Sequence, residues 1–272
     1  MAQDGLFPVT HARHGQRYWK RFTSFKFAAN RTDCAVVFNE IQIAAAAFPI
    51  VFMKSERGME PRALLSLRTG APTPFLSQDG QWLAPYVPSS LRCHPFQAER
   101  TCTNETDSTC RFQLNVDESS GYVTRNPRDE VFFDANGKLS HELLEVQTFL
   151  KAYVAASEAT QKLCRTIAKL GLLEPIETHG AVDLPCEAFG ITSSRLTKLS
   201  QAEKLVLVDS GALQLIHAHQ ISLSHCEWIL RAQQQLTQRA APEKYTENSD
   251  ISGFLYAMAK AQNADFLESS GV

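Results

Sequence analysis

The residue types best suited to chemistry crowd together late in the chain, where His217-Ala218-His219 is followed by His225-Cys226. Imidazole and thiolate are the usual ligands of zinc. Helical geometry keeps these apart. At 100° per residue His217 and His219 point about 200° apart, while His219 and Cys226 share a face but lie roughly 10 Å apart along the axis, too far for one ion held at about 2 Å per ligand. Only on a strand would His217 and His219 project from one side. The segment reads as a helix with His219 packed and hydrogen-bonded in an interface, and no metal is expected.

Asp134-Ala135-Asn136-Gly137-Lys138, with Glu145 beyond it, has the outline of a calcium loop. Glycine falls in the fourth place instead of the sixth and Lys138 takes a ligand position, so a strand-turn-helix connection is the better reading. His11, Arg13, His14, Arg17, Lys20 and Arg21 interleave with Tyr18, Trp19 and Phe22, a composition able to neutralise phosphates and stack bases. The whole chain opposes that use: 27 Lys and Arg against 29 Asp and Glu leave a net charge of -2, so a nucleic-acid partner is not expected and the cluster reads as a solvated or docking segment. No GxSxG elbow, GxxxxGK phosphate loop or GxGxxG fingerprint occurs. The acidic pairs Asp117-Glu118 and Asp129-Glu130 sit beside turns, where solvated carboxylates belong. Arg92 stands among Tyr86, His94 and Phe96, and its planar guanidinium can hold a carboxylate or phosphate in two parallel hydrogen bonds. Its other reading is an internal ion pair to Asp117 or Glu118.

The elements that must position these residues follow from periodicity. Phe25 and Phe27, then Ala35 to Phe38, read as short extended pieces, Glu40 to Ala47 as a short helix, and Phe48-Pro49-Ile50-Val51-Phe52 and Arg62 to Leu67 as strands. Asp79-Gly80 between Phe75-Leu76 and Trp82-Leu83 predicts a hairpin turn. Phe112-Gln113-Leu114-Asn115-Val116 alternates as a half-buried strand, and Val131-Phe132-Phe133 is another, closed by Asn136-Gly137. Ser140 caps a long helix carrying Leu143, Val146, Leu150, Tyr153, Val154, Ile167 and Leu170, stopped by Gly171 and Pro175. Ser200 and Glu203 form a capping box for a helix through Val208, and a second long helix runs from Ala212 to about Leu236. These features predict an α+β fold, a mainly antiparallel N-terminal β-sheet packed against two long C-terminal helices. The domain spans residues 1–237; residues 238–272 read as a linker and a short helix around Phe254 to Leu267.

At 272 residues and 44% hydrophobic content the chain can bury a real core. Its longest apolar stretch, Ile41 to Met53, is interrupted by Pro49 and is too short to cross a bilayer. Asp4 occupies the place where a secretory signal carries basic charge, and the seven cysteines are odd in number and lack a CxxC pair. A cytoplasmic protein with reduced thiols is the expectation, with Cys102 and Cys110 able to face each other across a hairpin.

An ordered series of segments resembles the SapC family of bacterial proteins. It runs from His14-Gly15 and Phe25 to Ala28 through Val37-Phe38-Asn39-Glu40 to Phe48-Pro49-Ile50-Val51-Phe52. Gly80-Gln81-Trp82, Tyr86-Val87-Pro88-Ser89-Ser90-Leu91-Arg92 and Pro95-Phe96 follow, with Cys93-His94 departing from the family's usual residues. Phe112 to Glu118, Phe133 with Gly137, Gly171-Leu172-Leu173-Glu174-Pro175, Ser210-Gly211-Ala212-Leu213 and Ala218-His219 with Ser222-Leu223 complete it. The resemblance covers roughly residues 9 to 232 and leaves out the 102 to 110 segment and the tail. It implies a cell-envelope or surface-layer association, a role in envelope assembly or nutrient uptake, no assigned catalytic residues and no cofactor. A flavin-dependent halogenase-like protein or an outer-membrane receptor is the partner it implies. The resulting expectation is a non-catalytic accessory or binding protein with ligand contacts at Trp82, Tyr86, Arg92, His94 and His219. The alternative is an enzyme acting on an envelope-derived small molecule or peptide through a cleft holding His94, Arg92 and His219.

Overall fold

A computed structural model describes residues 5–102, 110–185 and 187–240, with the side chains of 101, 102, 110, 239 and 240 left aside. The chain divides into two units, Met1–Gln233 and Gln234–Val272, and the fold below is that of the first. It opens with β1 (Leu6–Pro8), α1 (His11–His14), β2 (Tyr18–Trp19) and β3 (Asp33–Ala35), then α2 (Ile41–Ala45) and a hairpin of β4 (Ile50–Ser55) and β5 (Gly58–Leu64). A single turn, α3 (Ser89–Arg92), precedes a second hairpin of β6 (Phe96–Cys102) and β7 (Cys110–Asp117), followed by β8 (Val123–Thr124) and β9 (Glu130–Val131). The long α4 (His141–Lys169) leads to the short strands β10 (Glu174–Pro175), β11 (Thr178–His179), β12 (Val182–Asp183) and β13 (Phe189–Gly190). Then come α5 (Ser193–Thr197), α6 (Gln201–Ser210), α7 (Ala212–Ser222) and α8 (Cys226–Ala240).

The fold is α+β, and its strands pair antiparallel. Instead of one N-terminal sheet there are separate small ones, in the orders β10-β13-β4-β5-β3, β1-β7-β6, β8-β2-β9 and β11-β12. Strands of two or three residues cannot build a wide sheet, and the breaks between them set these boundaries. In the second hairpin the backbones of Cys102 and Cys110 stand opposite each other, as expected; their side chains lie outside the described residues.

Two apolar clusters form. The larger gathers β4 and β5 (Ile50, Val51, Phe52, Ala63, Leu64) with α2 and α7 (Ile41, Ala44, Leu215, Ile216). The smaller holds Trp19, Phe96, Leu114, Val116 and Phe132. Helix α4 joins them: Leu143 and Leu150 pack in the smaller cluster, Cys164 and Ile167 in the larger. Its 29 residues span about 43 Å, enough to reach both. Ser140 caps it by accepting from the Leu143 amide at 3.2 Å, and Gly171 ends it at φ +64°, a left-handed conformation that a side chain would strain. The 88–96 stretch sits at the junction, Leu91 in the larger cluster and Cys93 and Phe96 in the smaller.

Two local expectations are corrected. Phe25 and Phe27 are not on a strand; Lys26–Ala28 is a 3-10 turn, and the two rings pack with Phe22 in an aromatic group. The second long helix breaks at Leu223–His225, which is also a 3-10 turn, although Leu215, His219, Ser222, Cys226 and Ile229 are all buried as the stripe requires. The capping box at Ser200 and Glu203 forms, and α6 runs two residues past Val208 to Ser210, with Gly211 as its cap.

Candidate functional site

The polar residues of the motif segments mostly find one another. Glu40, at the end of the Val37-Phe38-Asn39-Glu40 segment, is buried. Its Oε2 accepts from the Tyr86 hydroxyl at 2.5 Å, the Ser89 amide at 2.9 Å and the Ser89 hydroxyl at 2.7 Å, while Oε1 accepts from the Val37 amide at 3.1 Å. A buried carboxylate is tolerated when its lone pairs are filled in this way. Burial, and secondly the bond to Glu40, push the Tyr86 phenol above its ordinary pKa, so it stays a donor. Trp82 donates its indole N–H to the Tyr86 carbonyl at 2.7 Å, and its ring packs near Phe25, Phe48 and Phe75.

A second seam joins β4 to α7. His219 is 1% exposed. Its Nε2 accepts from the Ile191 amide at 3.1 Å, which leaves the proton on Nδ1 to donate to the Ile50 carbonyl at 2.7 Å. Ser222 accepts from the Ile50 amide at 2.8 Å and donates to the His219 carbonyl at 2.8 Å. Both backbone groups of Ile50 are thus held by one turn of helix. Desolvation lowers the His219 pKa to about 4, so the ring is neutral near pH 7.

A third seam neutralises the basic N-terminal segment. Glu118 meets Arg13 at 2.6 Å, Arg17 at 2.8 Å and Nε2 of the buried His14 at 3.2 Å. The bond from Arg13 leads in holding the Glu118 carboxyl down to about 2. Arg21 faces Glu130 at 3.5 Å and Glu145 at 3.7 Å. The acidic pair that looked solvated therefore supplies the anchor of α1, and the ion pair expected between Arg92 and Asp117 or Glu118 does not form.

Arg92 is the exception to this mutual pairing. Its Nη2 donates to the Ser89 hydroxyl at 2.7 Å and the Tyr86 hydroxyl at 3.3 Å, both themselves locked on Glu40. Its guanidinium carbon lies 5.2 Å from the Phe149 ring centre. No carboxylate of a described residue pairs with it directly. Beside it opens a cleft of about 360 Å³ lined by Trp19, Phe22, His94, Phe96, Val146 and Phe149 among others. The His94 ring stacks on Phe27 at 3.9 Å, and burial, then the nearby Arg31, lowers its pKa. Trp19 Nε1 and His94 Nε2 are buried without a hydrogen-bond partner among the described residues.

Of the residues expected to touch a ligand, Arg92 and His94 line this cleft, Tyr86 supports Arg92, and Trp82 supports the Tyr86 backbone. His219 is not among the cleft residues, and both its ring nitrogens are engaged elsewhere, so the His94–His219 pair of the enzymatic alternative is not assembled. The other histidines of that helix do not converge with it: His217 and His225 line a separate groove with Ile221. Among the described residues no group of three His, Cys, Asp or Glu side chains could hold a metal ion. Cys34, Cys93, Cys164 and Cys226 are buried free thiols, each pushed up to about 12 by desolvation, and are not nucleophiles. Glu40 was missed as an organising residue, although a carboxylate opening the apolar run Ile41 to Ala47 was a readable signal.

No described helix is long and apolar enough to cross a membrane. A family model described as SapC matches residues 9–228. No curated protein and no solved structure gives a significant match.

Proposed function

The chain belongs to the SapC family, and from that premise we propose that it is a non-catalytic accessory or binding protein linked to bacterial cell-envelope function, whose ligand is an anion held at Arg92. One observation carries the reading. A guanidinium fixed by Ser89 and Tyr86 at the edge of a cleft, with no direct carboxylate partner among the described residues, keeps donors for a carboxylate or phosphate. Preorganisation lowers the cost of binding, because the side chain is oriented before the ligand arrives. Burial pushes the neighbouring Cys93 thiol up to about 12, which leaves the cleft without a thiolate nucleophile. The surface-layer or nutrient-uptake role, and a halogenase-like or outer-membrane-receptor partner, belong to the same proposal and rest on the family resemblance.

The test is calorimetric titration of the purified chain and Arg92→Gln with acetate, succinate and inorganic phosphate, followed by NMR of the ligand after long incubation. Saturable binding that the substitution weakens at least about tenfold, with the ligand recovered unchanged, is expected. Ligand consumed by the chain alone would refute the non-catalytic assignment. Binding untouched by Arg92→Gln would refute the site.

A further inference from the structure

The cleft beside Arg92 has a charge balance and a wall chemistry that narrow its ligand. Arg21 at its rim already faces two carboxylates, Glu130 and Glu145, and Glu145 itself lines the cleft. That leaves Arg92 as the one cation there without a direct carboxylate partner among the described residues. One positive charge beside a glutamate matches a singly charged anion; a doubly charged phosphate would place its second charge against Glu145. The remaining walls are mainly apolar: Trp19, Phe22, Phe96, Val146 and Phe149. Trp19 is 3% exposed and contributes its ring to that apolar wall. A volume of about 360 Å³ is at the small end of ligand pockets and matches a small occupant.

We infer that this cleft takes a small hydrophobic monocarboxylate, its carboxylate paired with Arg92 and its aromatic or branched apolar group against Phe22, Phe96, Val146 and Phe149. This rests on the reading of Arg92 as an anion site and adds the class of acid. The apolar walls reward a ligand that buries its own apolar surface, which acetate, succinate and inorganic phosphate cannot do.

The experiment compares four probes on the unmodified chain by calorimetry: phenylbutyrate, phenylbutyramide, acetate and inorganic phosphate. Phenylbutyrate is expected to bind at least about tenfold more tightly than any of the other three, because only it satisfies both charge and wall. Equal affinity for the acid and its amide would overturn the inference, since charge would then not be read. Phosphate or acetate binding as tightly as phenylbutyrate would also overturn it while leaving the anion site standing. Failure of all the anions would remove the underlying reading as well. In the variant arm, Arg92→Gln is expected to abolish the preference for acid over amide, with its circular-dichroism melt recorded alongside to show that it folds. A preference that survives in the folded variant contradicts the inference.

Discussion

His219 and Arg92 both stood out as residues able to bind something, and the structure gives them opposite surroundings. At the β4–α7 seam every polar atom has an internal partner: the two ring nitrogens of His219, the Ser222 hydroxyl and both backbone groups of Ile50. At the Arg92 corner the chain of bonds runs outward from buried Glu40 through Ser89 and Tyr86 and stops at a guanidinium on the edge of a cleft. Polar residues whose hydrogen-bonding capacity is exhausted inside the protein hold the fold together, and one held on a single side is placed to reach outward.

Stability should separate the two regions. The largest effect is expected for His219→Ala, which opens a cavity and leaves the Ile50 carbonyl and Ile191 amide without partners, at a cost of about 4 kcal/mol in urea unfolding. A loss of less than about 1 kcal/mol would mean that the seam is not what ties β4 to α7. Glu40→Gln comes next. Its amide nitrogen would face groups that donate to Glu40 now, and a loss of about 3 kcal/mol is expected. An unchanged urea midpoint would show that the carboxylate does not organise the corner.

Acid should act mainly on the first region. His219 has a folded pKa of about 4, below the 6.5 of an unperturbed imidazole, so the unfolded chain binds the extra proton between these values. The stability of the neutral, buried ring is complete well above pH 6.5 and is lost as pH falls towards 4, by about 2.5 kcal/mol near pH 4.5. Glu118, held to about 2, adds a loss in the same direction only below its ordinary 4.5. As pH falls from about 6.5 to 4.5, urea midpoints should drop in the native chain and drop less steeply in His219→Gln, whose remaining slope comes from His14 and His94, both also held below their ordinary pKa by burial. Equal slopes in both would assign the acid sensitivity elsewhere. A smaller effect, about 1 kcal/mol, is expected for Trp82→Phe, which removes one hydrogen bond to the Tyr86 carbonyl and keeps most of the ring packing. A loss above about 3 kcal/mol would make Trp82 a principal support of the corner.

Much of the frame was legible because local signals agreed. Ser140 as a cap, Gly171 as a left-handed stop and the Ser200–Glu203 box mark helix ends by backbone chemistry within a few residues. The alternation at Phe112 to Val116 likewise marked β7. The break at Leu223–His225 was not legible, since no proline or glycine announces it and the apolar stripe continues through it. What distinguishes that turn is long-range: Ser222 bonds to Ile50, which is 172 residues away in sequence. The site was half legible for the same reason. Arg92 and His94 were close in sequence and share a cleft, whereas His219 looked equally reactive until its two partners, 28 and 169 residues distant, were in view.

Urea unfolding paired with calorimetric titration on Arg92→Gln separates a residue that serves a ligand from one that serves the fold. Stability within about 1 kcal/mol of the native chain and carboxylate binding weakened at least about tenfold are expected. A variant that loses more than about 2 kcal/mol while binding carboxylate as before would contradict the ligand role of Arg92.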